Sequence, residues 1–181
     1  MVIDTSAVLA LLFNEPEADD IELAIDEDPV RLMSAASALE AGIVVEARLG
    51  AAGGREFDLL LHKARIEVVA VTSEQMEVGR AAWRRFGRGR HDANLNFGDC
   101  FSYALAAVSG EPLLFTGEDF SRTDVTRVRL GREQADADDA HAADAPLAIA
   151  RRAGYALTDW PAPAGSSPAW RTLSSPVAED S

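Results

Sequence analysis

A chain of 181 residues, 48% hydrophobic and 26% charged, suits one globular domain with a substantial core and is too short for two comfortable ones. Its formal net charge of −13 excludes a general nucleic-acid coat protein, because phosphate binding normally needs a basic surface. A single cysteine rules out an internal disulfide, no apolar run nears the roughly 20 residues of a membrane span, and no secretory leader is visible, so a cytoplasmic protein is expected.

Residues 1–4 read as a short buried strand and 6–13 as a helix too apolar for a surface. Asn14 to Pro16 break that helix, and 17–25 form a second one with Ile21 and Ile25 on one face. A short strand follows at 31–33. The helix at 34–49 closes at Gly50 and a Gly53–Gly54 turn, and a further helix at 56–64 turns Phe57, Leu60 and Leu61 inward. IEVVAV, at 66–71, is rich in β-branched residues and predicts a buried strand. Ser73 then caps a helix at 74–86, a polar loop spans 87–96, and another helix covers 98–108. The ordered pattern finishes with a strand at 112–115, the turn TGEDF and a short strand at 125–128. This alternation implies an α/β fold around a mainly parallel sheet covered on both faces. Residues 1–130 thus form the folded domain. Residues 131–181 are acidic and rich in Ala, Pro and Ser, and read as a flexible extension with one short helix at 148–156.

Four carboxylates stand out against this pattern. Asp4 separates the apolar triplet Met1–Val2–Ile3 from a largely apolar run, and burying an unpaired charge costs several kcal/mol. It must cap a helix or hold a cation. Glu40 interrupts a face made by Ala36, Ser37, Ile43, Val44 and Ala47, although a slight helix rotation would return it to water. Asp99 lies in a first helical turn, where the dipole favours an acid. Asp119 directly follows an apolar strand, as Asp4 does, and alone would be an ordinary turn acid.

Together the four say more. Asp4 and Asp119 both sit at carboxyl ends of strands, the edge where open α/β sheets bind ligands. Glu40 and Asp99 lie on helices able to pack against that edge. Converging carboxylates need cations, and hard oxygen donors without nearby His or Cys suit Mg²⁺ or Mn²⁺. Such a centre activates water and offsets charge on a phosphoryl group. One basic stretch runs against the acidic total: RAAWRRFGRGRH, at 80–91, holds five arginines and His91 with no acid. Its ordinary reading is a solvated helix end with two core aromatics, and its functional reading is a cationic arm for a polyanion.

MVIDTSAVLALL, the Glu of SALEAGIVVEARLG, NFGDCFSYALA and PLLFTGEDFSRTD, in this order and spacing, resemble the PIN-domain ribonucleases and specifically the VapC-type toxins of toxin–antitoxin pairs. The likeness covers residues 1 to about 129. It implies a three-layer α/β/α fold and a Mg²⁺-dependent endoribonuclease in which Asp4 and Asp99 hold Mg²⁺ (or Mn²⁺). Glu40 completes the acidic centre, and Thr5 or Ser6 orients a ligand or water. The acid–Phe pair points to Asp119 as the fourth acid, with Glu118 in reserve because the family often carries an acid two residues after the strand-end Thr. RNA is the implied substrate, recruited by Arg84, Arg85, Arg88 and Arg90. A VapB-type antitoxin and a second copy of the chain are the implied partners. The stretch after residue 130 departs from the family pattern.

Other side chains invite less. Cys100 adjoins Asp99 but has no His close in sequence to serve as base, and reads as a small buried thiol. His62 and His141 suggest no site, and His91 only a phosphate contact. No Walker loop, dinucleotide fingerprint or CxxC pair is present, so no nucleotide cofactor or zinc is expected. Two rival readings are a silent PIN-like binding module and an aspartate-nucleophile phosphatase. The latter expects a second Asp at position 6, where Ser6 stands.

Overall fold

The structure, a computed structural model, describes residues 1–130. The expected extension at 131–181, including its short helix and His141, lies outside the described residues. Within them the elements are β1 (Val2–Ile3), α1 (Thr5–Leu12), α2 (Ala18–Glu27), β2 (Leu32–Ser34), α3 (Ala35–Lys63), β3 (Glu67–Val69), α4 (Ser73–Phe86), α5 (Asp99–Ser109) and β4 (Leu113–Leu114), then a 3-10 turn at Phe120–Arg122.

The strands lie parallel in the order β3-β2-β1-β4. β1 is flanked on both sides, and a parallel strand covered on both faces must be apolar without alternation, as Val2 and Ile3 are. Successive side chains enter opposite cores. Ile3 and Leu114 join α1, α2 and α3 in one, while Val2, Leu113 and Phe115 join α4 and α5 in the other. The result is the expected α/β/α sandwich. Arg31 ties its ends by donating to the carbonyls of Asp26, Asp28 and Ala64.

Several local expectations change. The 34–49 and 56–64 helices join as α3, bent where Gly50 has φ 66° and ψ −162°, a conformation essentially reserved for glycine. Gly53 and Gly54 are helical rather than a turn. They allow a close elbow, since a Cβ on Gly53 would come within 2.5 Å of the Leu49 Cβ and one on Gly54 within 2.7 Å of a Glu46 oxygen. The 66–71 strand shrinks to β3, which pairs only with β2, so Glu67 and Val68 face solvent at a sheet edge instead of being buried. The 125–128 strand reduces to one bridge, Leu113 with Arg127, and the 87–96 loop buries Ala93 and Leu95.

What matters for function is where the strand order reverses. The chain moves outward from β1 to β2 and β3, then returns to place β4 on the other side of β1. The carboxyl ends of β1 and β4 thus lie at a switch point, the position at which open α/β sheets bind ligands. Asp4 follows β1, and Thr116 to Asp119 follow β4.

Candidate active site

Asp4 is the N-cap of α1 and only 5% exposed. Its Oδ2 accepts from the Ser6 N–H at 2.9 Å and the Ser6 hydroxyl at 2.7 Å. Ser6 Oγ in turn accepts from the Thr116 N–H at 3.1 Å, so one hydroxyl links the ends of β1 and β4. Thr5 faces the other way: its hydroxyl lies 2.8 Å from Glu40 Oε2 and 3.2 Å from the Ser37 carbonyl, both acceptors. Below it, the buried Ser37 and Ser102 hydroxyls pair at 3.0 Å and join α3 to α5.

Asp99 begins α5 and exchanges two bonds with Asn96. The Asn96 N–H donates to Asp99 Oδ2 at 2.6 Å, and the Asp99 N–H donates to Asn96 Oδ1 at 3.1 Å, a capping-box reciprocity. Burial pushes the Asp99 carboxyl up to about 6 against the pull of that Asn96 N–H, and the charges of Asp4, Asp119 and Glu40 add to the rise. The other three sequence-selected acids therefore all act on Asp99. Glu118 is not among the groups that act on Asp99. Position 98 closes the arrangement. A Cβ there would stand 2.7 Å from both oxygens of Glu40, so only glycine lets that carboxylate rest beside the start of α5.

Asp4, Glu40 and Asp99 each use one oxygen in these bonds and keep the other free of hydrogen bonds. The donor set is carboxylate oxygen with hydroxyls behind it, which fits a hard divalent cation. Among the described residues no three ligand-type side chains are already close enough to enclose one ion. Cys100 donates its thiol to the Asn96 carbonyl at 3.2 Å, and burial and the Asp99 charge push its pKa up, which disfavours a nucleophilic thiolate.

The arginines of the basic stretch are exposed but differ in freedom. Arg85 is ion-paired with Asp124, which also accepts from the Tyr103 hydroxyl at 2.6 Å, and its guanidinium lies 4.5 Å from the Phe86 ring centre. Arg90 lies over Trp83 at 4.3 Å. Arg80 pairs with Glu77 on the helix surface. His91 braces its own loop, accepting from the Ala93 N–H and meeting Phe86 edge-on. Together with Arg90, His91 and Arg122 line an open cavity of about 550 Å³.

Sequence reasoning missed Asn96, Gly98 and the Ser37–Ser102 pair. The N-x-x-D spacing before α5 was a usable sign of the first. The other two depend on close approaches between α3 and α5 that no local pattern announces.

Comparison with known proteins now decides the family. The PIN domain family matches residues 1–126. Ribonuclease VapC30 of Mycobacterium tuberculosis is 57% identical over 130 residues, 72% of this chain and 99% of that protein. Ribonuclease VapC of Mycolicibacterium smegmatis is 59% identical over 128 residues, 71% of this chain and 99% of its own length. The chain belongs to the PIN-domain family, within its VapC ribonucleases. A solved VapC relative, Mycobacterium tuberculosis VapC20, described as a sarcin–ricin-loop-cleaving toxin, shares the fold with TM-score 0.57 at 22% identity, over 71% of this chain and 98% of that one.

Two outcomes follow for this VapC-family site. The Asp99 carboxyl titrates near 3.8 when unfolded and about 6 when folded, so between those values the folded state holds a proton that the unfolded chain has lost. Raising the pH through this window therefore removes stability. Asp99→Asn should raise the melting temperature of the metal-free protein at neutral pH, and the gain should disappear as pH falls to about 4. Thermal melts in chelator across this range check it. Gly98→Ala should leave the fold intact, because the flexible end of Glu40 yields, yet weaken Mn²⁺ binding about tenfold or more in a calorimetric titration.

Proposed function

We propose that this protein is the toxin of a toxin–antitoxin pair, a Mg²⁺-dependent endoribonuclease that hydrolyses RNA phosphodiester bonds in the cytoplasm. The observation that carries this reading is the placement of Asp99 at the sheet's switch point, where burial chiefly, and the charges of Asp4, Asp119 and Glu40 in addition, push its carboxyl up to about 6. A protein keeps like charges together when function needs a cation there. The naming of relatives at 57% and 59% identity as ribonucleases supports the same reading.

In this mechanism Asp4 and Asp99 hold the ion, Glu40 completes the centre and Asp119 stands at its rim. A bound Mg²⁺ supplies a Lewis acid that makes water a nucleophile at neutral pH and offsets charge on the phosphoryl oxygens. Ser6 keeps Asp4 in its rotamer and Thr5 keeps Glu40, so the ordering of the ligands is built into the apo fold. A divalent ion held by Asp4 and Asp99 would offset the negative charge gathered there. Arg84, Arg88 and Arg90 recruit the RNA backbone across an otherwise acidic surface, and Arg85 joins them on release from Asp124. Mn²⁺ serves in place of Mg²⁺, since both take the same oxygen donors. A VapB-type antitoxin covers the acidic centre, where the exposed Leu39 and Ile43 flank Glu40 on α3, and the toxin assembles as a homodimer.

Asp4→Asn and Asp99→Asn are expected to fold normally by circular dichroism and to cleave no RNA. The wild type should give a discrete pattern of ends from total RNA that vanishes with EDTA. Comparable cleavage by either variant rejects the site.

A further inference from the structure

The acidic centre is bordered by an aromatic ring that the proposed chemistry leaves unused. Phe97 is 80% exposed, more than any other large hydrophobic side chain among the described residues. Its chain neighbours are the two positions that touch the centre. Asn96 exchanges hydrogen bonds with Asp99, and Gly98 makes room for the Glu40 carboxylate. Phe101, in the first turn of α5, meets Phe97 edge to face, with centroids 4.9 Å apart and planes at 87°. That contact orients the ring and leaves most of its surface open to solvent. Scattered exposed apolar residues are ordinary. This one is fixed in orientation and tied through both flanking residues to the carboxylates.

We propose that Phe97 is a base-stacking residue, taking the face of an unpaired nucleobase next to the phosphodiester presented to the acidic centre. The inference rests on the ribonuclease reading. A cluster of carboxylates repels a phosphate backbone, so nucleotides nearest the cut need a hold that is not electrostatic. Aromatic stacking supplies one, and it acts on single-stranded RNA whatever the base. Leu39 and Ile43, the exposed apolar side chains on either side of Glu40 along α3, are aliphatic and offer no such face.

The test measures binding of fluorescent homopolymeric oligoribonucleotides, with Mg²⁺ present, to full-length protein carrying Asp99→Asn, which keeps the probes intact. Adding Phe97→Ala should weaken affinity about tenfold, the scale of losing one stacked base. Phe97→Trp should restore it and Phe97→Leu should not. In otherwise wild-type protein, Phe97→Ala should raise KM more than it lowers kcat. Unchanged RNA affinity in Phe97→Ala, or full affinity in Phe97→Leu, overturns the proposal, as does an effect of Phe97→Ala confined to dimer mass or antitoxin affinity. Because binding is read without cleavage, an inactive wild type would reject the nuclease reading and leave the stacking result to be judged independently.

Discussion

The burial of Asp99 within reach of the charges of Asp4, Glu40 and Asp119 is the constraint on which the site depends. Asp4 is buried and Asp99 half-buried, whereas Glu40 and Asp119 are exposed. Burial above all pushes the Asp99 carboxyl up to about 6, with the charges of the other three adding to the rise. The sheet forces the issue by reversing its strand order beside β1, which puts the loop after β4 next to the loop after β1. Two helices then deliver the remaining acids, α3 carrying Glu40 and α5 beginning at Asp99. Topology thus brings the four acids to one end of the sheet.

The surrounding polar groups hold this unfavourable arrangement in one geometry. Ser6 bridges Asp4 to Thr116, Thr5 spans Glu40 and the Ser37 carbonyl, and Asn96 clasps Asp99. Beneath them the Ser37 and Ser102 hydroxyls satisfy each other where α3 meets α5. Buried polar groups that are fully paired specify one packing, whereas unpaired ones would each cost about 1–3 kcal/mol. No buried side-chain polar atom among the described residues is left without a partner. The site's rigidity thus comes from neutral hydroxyls and an amide, which add no charge to an already crowded centre.

Much of this was legible from the chain itself. Val2 and Ile3 ahead of Asp4, and Leu113 to Phe115 ahead of the TGEDF turn that carries Asp119, mark two parallel strands whose outgoing segments carry acids. Those two features point to the carboxyl edge of the sheet. Spacing alone left the fourth acid open between Asp119 and Glu118, and of the two it is Asp119 whose charge acts on Asp99. Less was legible where meaning depends on distant neighbours. IEVVAV carries the composition of a buried strand but occupies a sheet edge, because composition does not reveal how many partners a strand has. Gly53 and Gly54 looked like a turn and instead permit a tight helical elbow. Gly98 looked like a helix start, and its need for a missing Cβ arises only from Glu40, which lies far away in sequence. Arg85 read as a free cation until the fold brought Asp124 to it.

The most direct measurement of whether the carboxylates form one cation site is a titration of Mn²⁺ into metal-free protein with the released protons counted. The account predicts an ion bound with release of about half a proton near pH 6, fading toward neutrality and absent in Asp99→Asn. Binding without pH-dependent proton release, or no binding at all, would contradict it.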